Sequence, residues 1–222
     1  MDVDQMIEAF DIHYDRISSF SSPGYEVDEK LIFLNYAQGQ FVKDRMFGEK
    51  FQPPAFEDNS KRVADLRTLV KPASLFFNSI DPVGAALYTL PTDFLYPINA
   101  NALCTRTNYP IVTSGEYFDC QTIKTEHKLK FINSTTNRTH FIKPKVVIAG
   151  TFLELIVDRF TTVTEVLLNY IVEPTELIEG GTCDLPEHTH DEILDIAVMV
   201  ALQTIQDPRL ITKIQTEMAK TK

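Results

Sequence analysis

"FLELIVDRFTTVTEVLLNYIVE", residues 152–173, decides how this chain is read. Leu153, Leu155 and Val157 recur at every second place, and Val166, Leu168 and Tyr170 do so again. A period of two puts such residues on one face of a pleated strand; a helix would need recurrence at three or four. β-Branched and aromatic types fill both runs, as they do in half-buried strands.

The same texture extends upstream. "SLFFNSI" (74–80), "AALYTL" (85–90), "DFLYPINANALC" (93–104), "EYFDCQTIK" (116–124), "HKLKFIN" (127–133) and "HFIKPKVVIAG" (140–150) are short β-rich runs separated by Pro, Gly and Asn. With the two runs above they make eight, at the spacing of an antiparallel sandwich or small barrel. "INSTTNRTHFI" reads as a polar hairpin tip between two of them.

Helical periodicity frames this centre. Val3, Met6, Ile7, Phe10, Tyr14 and Ile17 recur at three or four over residues 3–20, and "SSFSSPGY" breaks the run. The acids of "EVDE" open a second helix near 26–46, with Leu31, Leu34, Ala37, Gln38, Phe41, Val42 and Arg45 along one face. A short helix over 58–70, with Val63, Leu66, Leu69 and Val70 inward, is expected to stop at Pro72. After the loop "EGGTCDLPEH" a helix is expected over about 185–206, then a charged tail helix over 208–221. The expected fold is α+β: N-terminal helices, a central antiparallel β-sandwich or barrel-like region, and a C-terminal helix packed with the N-terminal helices. The parts are 1–72 (helical), 73–180 (β-rich) and 181–222 (C-terminal helix and tail, returning to 1–72).

Charge is unevenly placed. The chain of 222 residues carries a net charge of −10. Residues 121–145 nevertheless hold Lys124, Lys128, Lys130, Arg138, Lys143 and Lys145 against Glu126 alone, while 160–208 hold ten acids and no Lys or Arg. Blocks of opposite sign suit a surface that meets copies of itself or a charged partner. Overall acidity argues against affinity for free nucleic acid. No long apolar window suggests a membrane span, and the acidic "MDVDQMIEAFD" lacks the apolar core of a secretion signal. Cys104, Cys120 and Cys183 are odd in number and lack a CxxC, the pattern of free thiols in a reducing cytosol.

The chemical candidates are few. "DLPEHTHDEILD" places His188 and His190 among carboxylates, but two residues apart on a helix is about 200° of rotation, so the two rings diverge. Asp184 and Glu187 instead read as a capping box ahead of an apolar run. No phosphate-cradling, zinc or nucleophile motif is present, and no catalytic residue, metal or cofactor is expected.

Three stretches resemble one another's counterparts in a known family. They are "MIEAFDIHYDRISSFSSPGYEVDEKLIFLNYAQGQFVKDRMF" (6–47), "LYTLPTDFLY" (87–96) and "LPEHTHDEILDIAVMVALQTIQDPRL" (185–210). Together they resemble the head-to-tail adaptor, or neck ring, proteins of tailed bacteriophages, above all the portal-proximal ring protein of crAss-like phages. That resemblance implies a structural virion protein made in the host bacterial cytoplasm. Its copies would form a ring, commonly of twelve, that joins the portal to the next neck ring or the tail. Double-stranded DNA would pass through the lumen without specific binding. It further implies that the tail, with Arg209, Lys213, Ile214 and Met218, docks on the portal. The basic arm, with Lys124, Lys128, Lys130 and Arg138, is expected to meet an acidic patch on an adjacent subunit or ring. A β-sandwich ligand-binding module of a phage tail or fibre is the alternative, and an enzyme with a metal at His188, His190 and a distant His comes last.

Overall fold

The computed structural model describes residues 1–15, 24–48, 60–82, 84–106, 115–133, 139–158 and 160–204. The chain divides into two compact units, one made of 1–69 and 174–222 and the other of 70–173. No helix among the described residues is long and apolar enough to cross a membrane.

The first unit is helical. Helix α1 (Val3–Asp15) buries Val3, Met6, Ile7, Phe10 and Tyr14, the stripe its periodicity predicts. Ile17 lies outside the described residues. Helix α2 (Val27–Phe47) starts where the Glu29 carboxylate accepts the Glu26 N–H at 3.0 Å. It ends at Gly48, whose φ of 77° turns the chain out of the helix. Its buried face runs Lys30, Leu34, Ala37, Gln38, Phe41 and Val42, so Lys30 takes the inward place expected of Leu31. The buried Lys30 ammonium is paired with the Asp11 carboxylate at 2.7 Å. Helix α3 (Ser60–Leu66) is shorter than its apolar pattern suggested.

The C-terminal helix begins later than expected. Glu187–Thr189 form a 3-10 turn, and the α-helix proper, α5, is His190–Thr204, after the short α4 (Lys128–Asn133) of the sheet unit. It buries His190, Ile193, Leu194, Ala197, Val198, Ala201 and Leu202, while Ile196 and Val200 are half-buried. Packing on two helices at once needs the wider stripe. Helix α5 lies against both α1 and α2, so the C-terminal helix closes the N-terminal pair. Phe10, Tyr14, Tyr25 and Phe33 form an aromatic cluster beside them, and the Tyr25 hydroxyl donates to the Ala201 carbonyl at 3.0 Å. Each such ring, when buried, contributes about 1.5–3 kcal/mol.

The second unit is an eight-stranded, nearly closed barrel-like sheet. Its strands are β1 (Val70–Ile80), β2 (Ala86–Thr89), β3 (Phe94–Arg106), β4 (Glu116–Asp119), β5 (Gln121–Thr122), β6 (Lys145–Ala149), β7 (Phe152–Ile156) and β8 (Thr161–Val172), in the order β4-β3-β8-β1-β2-β7-β6-β5. Strand β1 belongs to both halves: Val70–Phe76 pair with β8 and Phe77–Ile80 with β2, the β2 pairing interrupted by a bulge at Asn78. The bulge bends the strand and turns one half of the sheet towards the other. Pro72 does not mark a stop; it lies inside β1, opposite Asn169. Proline is tolerated there because β2 joins only from Phe77 onward, which leaves that edge of the strand without a ladder.

Leu75, Tyr88, Ala100, Ala102, Cys104, Leu153, Leu155, Val166, Leu168 and Tyr170 fill the interior. The alternation in 152–173 is therefore the alternation of β7 and β8. Gly150, with φ of 59°, supplies the tight turn between β6 and β7. Among the described residues all strand pairings are antiparallel except one: β5 runs parallel to β6. A parallel pair needs a long crossover, usually helical, and that requirement overturns the expected hairpin.

Candidate functional site

"HKLKFIN" does not form a strand. Thr125–His127 is a 3-10 turn, and Lys128–Asn133 is the short helix α4. Residues 134–138, including Arg138, lie outside the described residues. A strand would have turned Leu129 and Phe131 inward. The helix instead directs Lys128 and Ile132, four apart, to the sheet. Ile132 and Ile123 pack on Ala85, Val147 and Ile156, while Leu129 is 56% exposed.

Lys128 is accordingly not at an outer edge. Its ammonium is held between the carboxylates of Asp81 and Glu154, the latter at 2.7 Å, and all three side chains are largely buried. Burial alone would lower its pKa, but the two carboxylates outweigh it and hold the value above the usual lysine range. Lys124 is exposed, and among the described residues its charged neighbour is Glu126 at 3.8 Å. Lys130 and Lys143 are also exposed, with no charged partner among the described residues. Lys145 sits over the Phe131 ring at 5.4 Å and reaches Gln121. Of the expected arm, Lys124 and Lys130 are thus available to a partner and Lys128 is committed inside.

The histidine-rich helix start is a polar clamp. His188 Nε2 lies 2.9 Å from Asp65 Oδ1, and Arg45 Nε donates to Asp65 Oδ2 at 2.7 Å. Asp65 is 1% exposed, so its charge depends on these donors. Arg45 also pairs with Glu192, which Lys61 reaches at 3.0 Å. His190 is buried and directs Nε2 at the Leu185 carbonyl, 3.0 Å away. The two rings therefore serve separate acceptors, and among the described residues no three His, Cys, Asp or Glu are grouped as metal ligands.

Asp184 is not the helix cap. Its carboxylate accepts the Thr175 N–H at 2.9 Å and the Thr175 hydroxyl at 2.6 Å, and no side chain caps the turn at Pro186. The loop from 174 to 186 needs its own anchors because it leaves the sheet without a ladder to follow. Asn35 supplies two more, donating to the Leu177 carbonyl at 3.1 Å and accepting the Leu177 N–H at 2.7 Å. Gln38 donates to the Thr175 carbonyl at 3.1 Å. In the sheet unit Asp93 accepts from the Tyr170 hydroxyl at 2.9 Å and from Lys71 at 3.2 Å. These bonds hold its pKa below the usual carboxylate value, the tyrosine contributing most. Burial, aided by Asp93, pushes the Tyr170 hydroxyl up to about 12.

Burial favours the protonated form of all three thiols. Burial raises Cys104 to about 11 and Cys120 to about 12, and it also raises Cys183. None is poised as a nucleophile.

One surface escaped the sequence reading because only strand register reveals it. The outward residues of four neighbouring strands form a row, Phe76 on β1, Glu165 on β8, Leu103 on β3 and Tyr117 on β4. A second row is Ser74, Leu167, Asn101 and Asp119. Phe76 is 69% and Tyr117 49% exposed. The Tyr117 hydroxyl donates to Glu165 at 3.1 Å, which raises the tyrosine pKa. Arg209, Lys213, Ile214 and Met218 lie outside the described residues.

No protein-family profile matches the sequence. The chain is similar to ring protein 4/5 of Bacteroides phage crAss001, with 26% identity over 230 aligned positions, 93% of this chain and 94% of that protein. The likeness runs through both units rather than through one of them.

Proposed function

We propose that this chain is a structural ring protein of a tailed-phage virion, acting in the neck as a non-catalytic head-to-tail adaptor. Copies of it assemble into a ring, a dodecamer by the resemblance, that joins the portal to the next ring or the tail. The observation that carries the proposal is the full-length similarity to a phage ring protein. The anatomy agrees with a rigid part: Asn35, Gln38 and Asp184 tie the 174–186 loop down, and Arg45, His188 and Asp65 tie helices together. A net charge of −10 suits a wall past which duplex DNA slides, because like charge prevents adhesion. The tail beyond 207 and the exposed Lys124 and Lys130 are the proposed contacts to portal and neighbour.

Electron microscopy of the purified chain, alone and mixed with the portal protein of the same virion, tests the proposal. Rings, or end-on caps on portal particles, are the expected result. A monomer that leaves the portal bare would overturn it and favour a ligand-binding module instead.

A further inference from the structure

The geometry points to a specific contact between copies: the outer face of β4-β3-β8-β1, where Phe76 and Tyr117 are exposed, receives the lysine-bearing α4 face of a second copy of this chain. The inference rests on the ring reading above and names the two surfaces that would make the ring. The receiving face is apolar and acidic. Phe76, Leu103, Tyr117 and Leu167 supply the apolar area, and Glu165 and Asp119 the charge, in two adjacent cross-strand rows. Directly paired residues stand about 5 Å apart, so each row forms a continuous strip across four strands.

The sheet treats its two halves differently. On β6 and β7 the outward residues Val147, Glu154 and Ile156 are covered by Ile132 and Lys128 of α4 and by Ile123. On β1 and β4 the outward Phe76 and Tyr117 remain exposed. An exposed row with aromatic residues at both ends marks an interaction surface.

The opposing face has the complementary chemistry. Lys124, Lys130 and Lys143 are exposed, and the exposed apolar residues Leu129 and Ile142 lie among them in the chain. Lys128, spent on Asp81 and Glu154, anchors α4 to the sheet from below and so fixes the helix that presents Lys130 and Leu129. The two faces are different patches of one unit. A contact between different patches is heterologous and propagates head to tail, which closes into a ring when the rotation permits. A self-complementary dimer would require the same patch on both sides.

The test begins with the wild-type chain. Equal amounts of isotopically light and heavy protein are mixed, allowed to assemble, and treated with a carbodiimide that joins touching lysines and carboxylates. Mass spectrometry should find mixed-isotope links from Lys124 or Lys130 to Glu165 or Asp119. Two variants follow, Glu165→Lys with Phe76→Lys, and Lys124→Glu with Lys130→Glu. Each alone should lose the assembled species by light scattering, and mixing the two should restore it, because the reversed faces fit each other. If the wild type assembles but inter-copy links fall elsewhere, or both variants assemble unaided, this contact is wrong and the ring reading survives. If the wild type stays monomeric at every concentration and with portal present, the ring reading itself fails. The cross-links stand even if a variant misfolds.

Discussion

Removing the buried Asp65 carboxylate would leave Arg45 without its best partner and His188 without an acceptor. Breaking a buried ion pair costs about 3–5 kcal/mol, and the Glu192 contact places Asp65→Ala near the lower end, about 3 kcal/mol. Urea unfolding followed by helical signal measures it. His188→Ala removes one bond from a half-exposed ring and should cost about 1 kcal/mol. The double change with His190→Ala should leave metal content unchanged by elemental analysis. The thiols make a second prediction at this scale. Cys104 and Cys120 keep their protons in the folded state up to about 11 and 12. An unfolded thiol ionises near 8.5. Between those values the unfolded state binds fewer protons, so their contribution to stability falls as pH rises. Native protein at pH 8 should resist alkylation at both, whereas protein in guanidinium reacts fully, as intact mass will show. Asp93 works at the other end of the scale. Its depressed pKa adds stability above the ordinary aspartate value, and this is lost as pH falls through the folded one. Asp93→Asn should flatten that acid limb in thermal unfolding.

Helix α4 shows how an element can be misread and what the error implies. Lys128→Ala would leave Asp81 and Glu154 facing each other with little solvent, and about 2–4 kcal/mol of sheet-unit stability should go with it. The lysine pKa is raised, so this contribution is complete below the ordinary lysine value and is lost as pH rises through the folded one. Thermal unfolding of wild type and Lys128→Ala should therefore converge at high pH. Lys130→Glu, by contrast, should leave stability within about 0.5 kcal/mol, because its side chain is exposed. The same segment explains what was legible in the sequence. Strands β7 and β8 and the stripes of α1 and α2 follow from periodicity alone, since each has one face buried throughout. "HKLKFIN" alternates equally well, but an apolar pattern cannot reveal that Asp81 and Glu154, far away in the chain, wait for a lysine. Asp184 failed as a cap for a similar reason: Thr175 competes for it. The outer strip was invisible because Phe76, Leu103, Tyr117 and Glu165 become neighbours only through register.

At the scale of the whole molecule the C-terminal tail separates folding from attachment. The described part of α5 ends at Thr204, and its last buried residues are Ala201 and Leu202. Everything after Gln206 therefore lies beyond the last side chain that the described helical core uses. The sequence beyond is "DPRLITKIQTEMAKTK", with Leu210, Ile211, Ile214 and Met218 at helical spacing and Arg209, Lys213, Lys220 and Lys222 set against Glu217. An apolar stripe on about 14 residues is too short to be stable as a helix by itself in water. Such a stripe gains most from a partner's surface, and in the proposed adaptor the portal is that partner. Truncation after Gln206 should leave the melting temperature within about 2 °C of the full chain, since no described core contact is removed. It should leave ring assembly intact as well, because the strip on β4-β3-β8-β1 and the α4 face both belong to the sheet unit. Attachment to portal-bearing heads should be lost, as co-sedimentation or microscopy would show. A truncated chain that still attaches would move the portal contact elsewhere. One that unfolds would assign the stripe to the helical core instead.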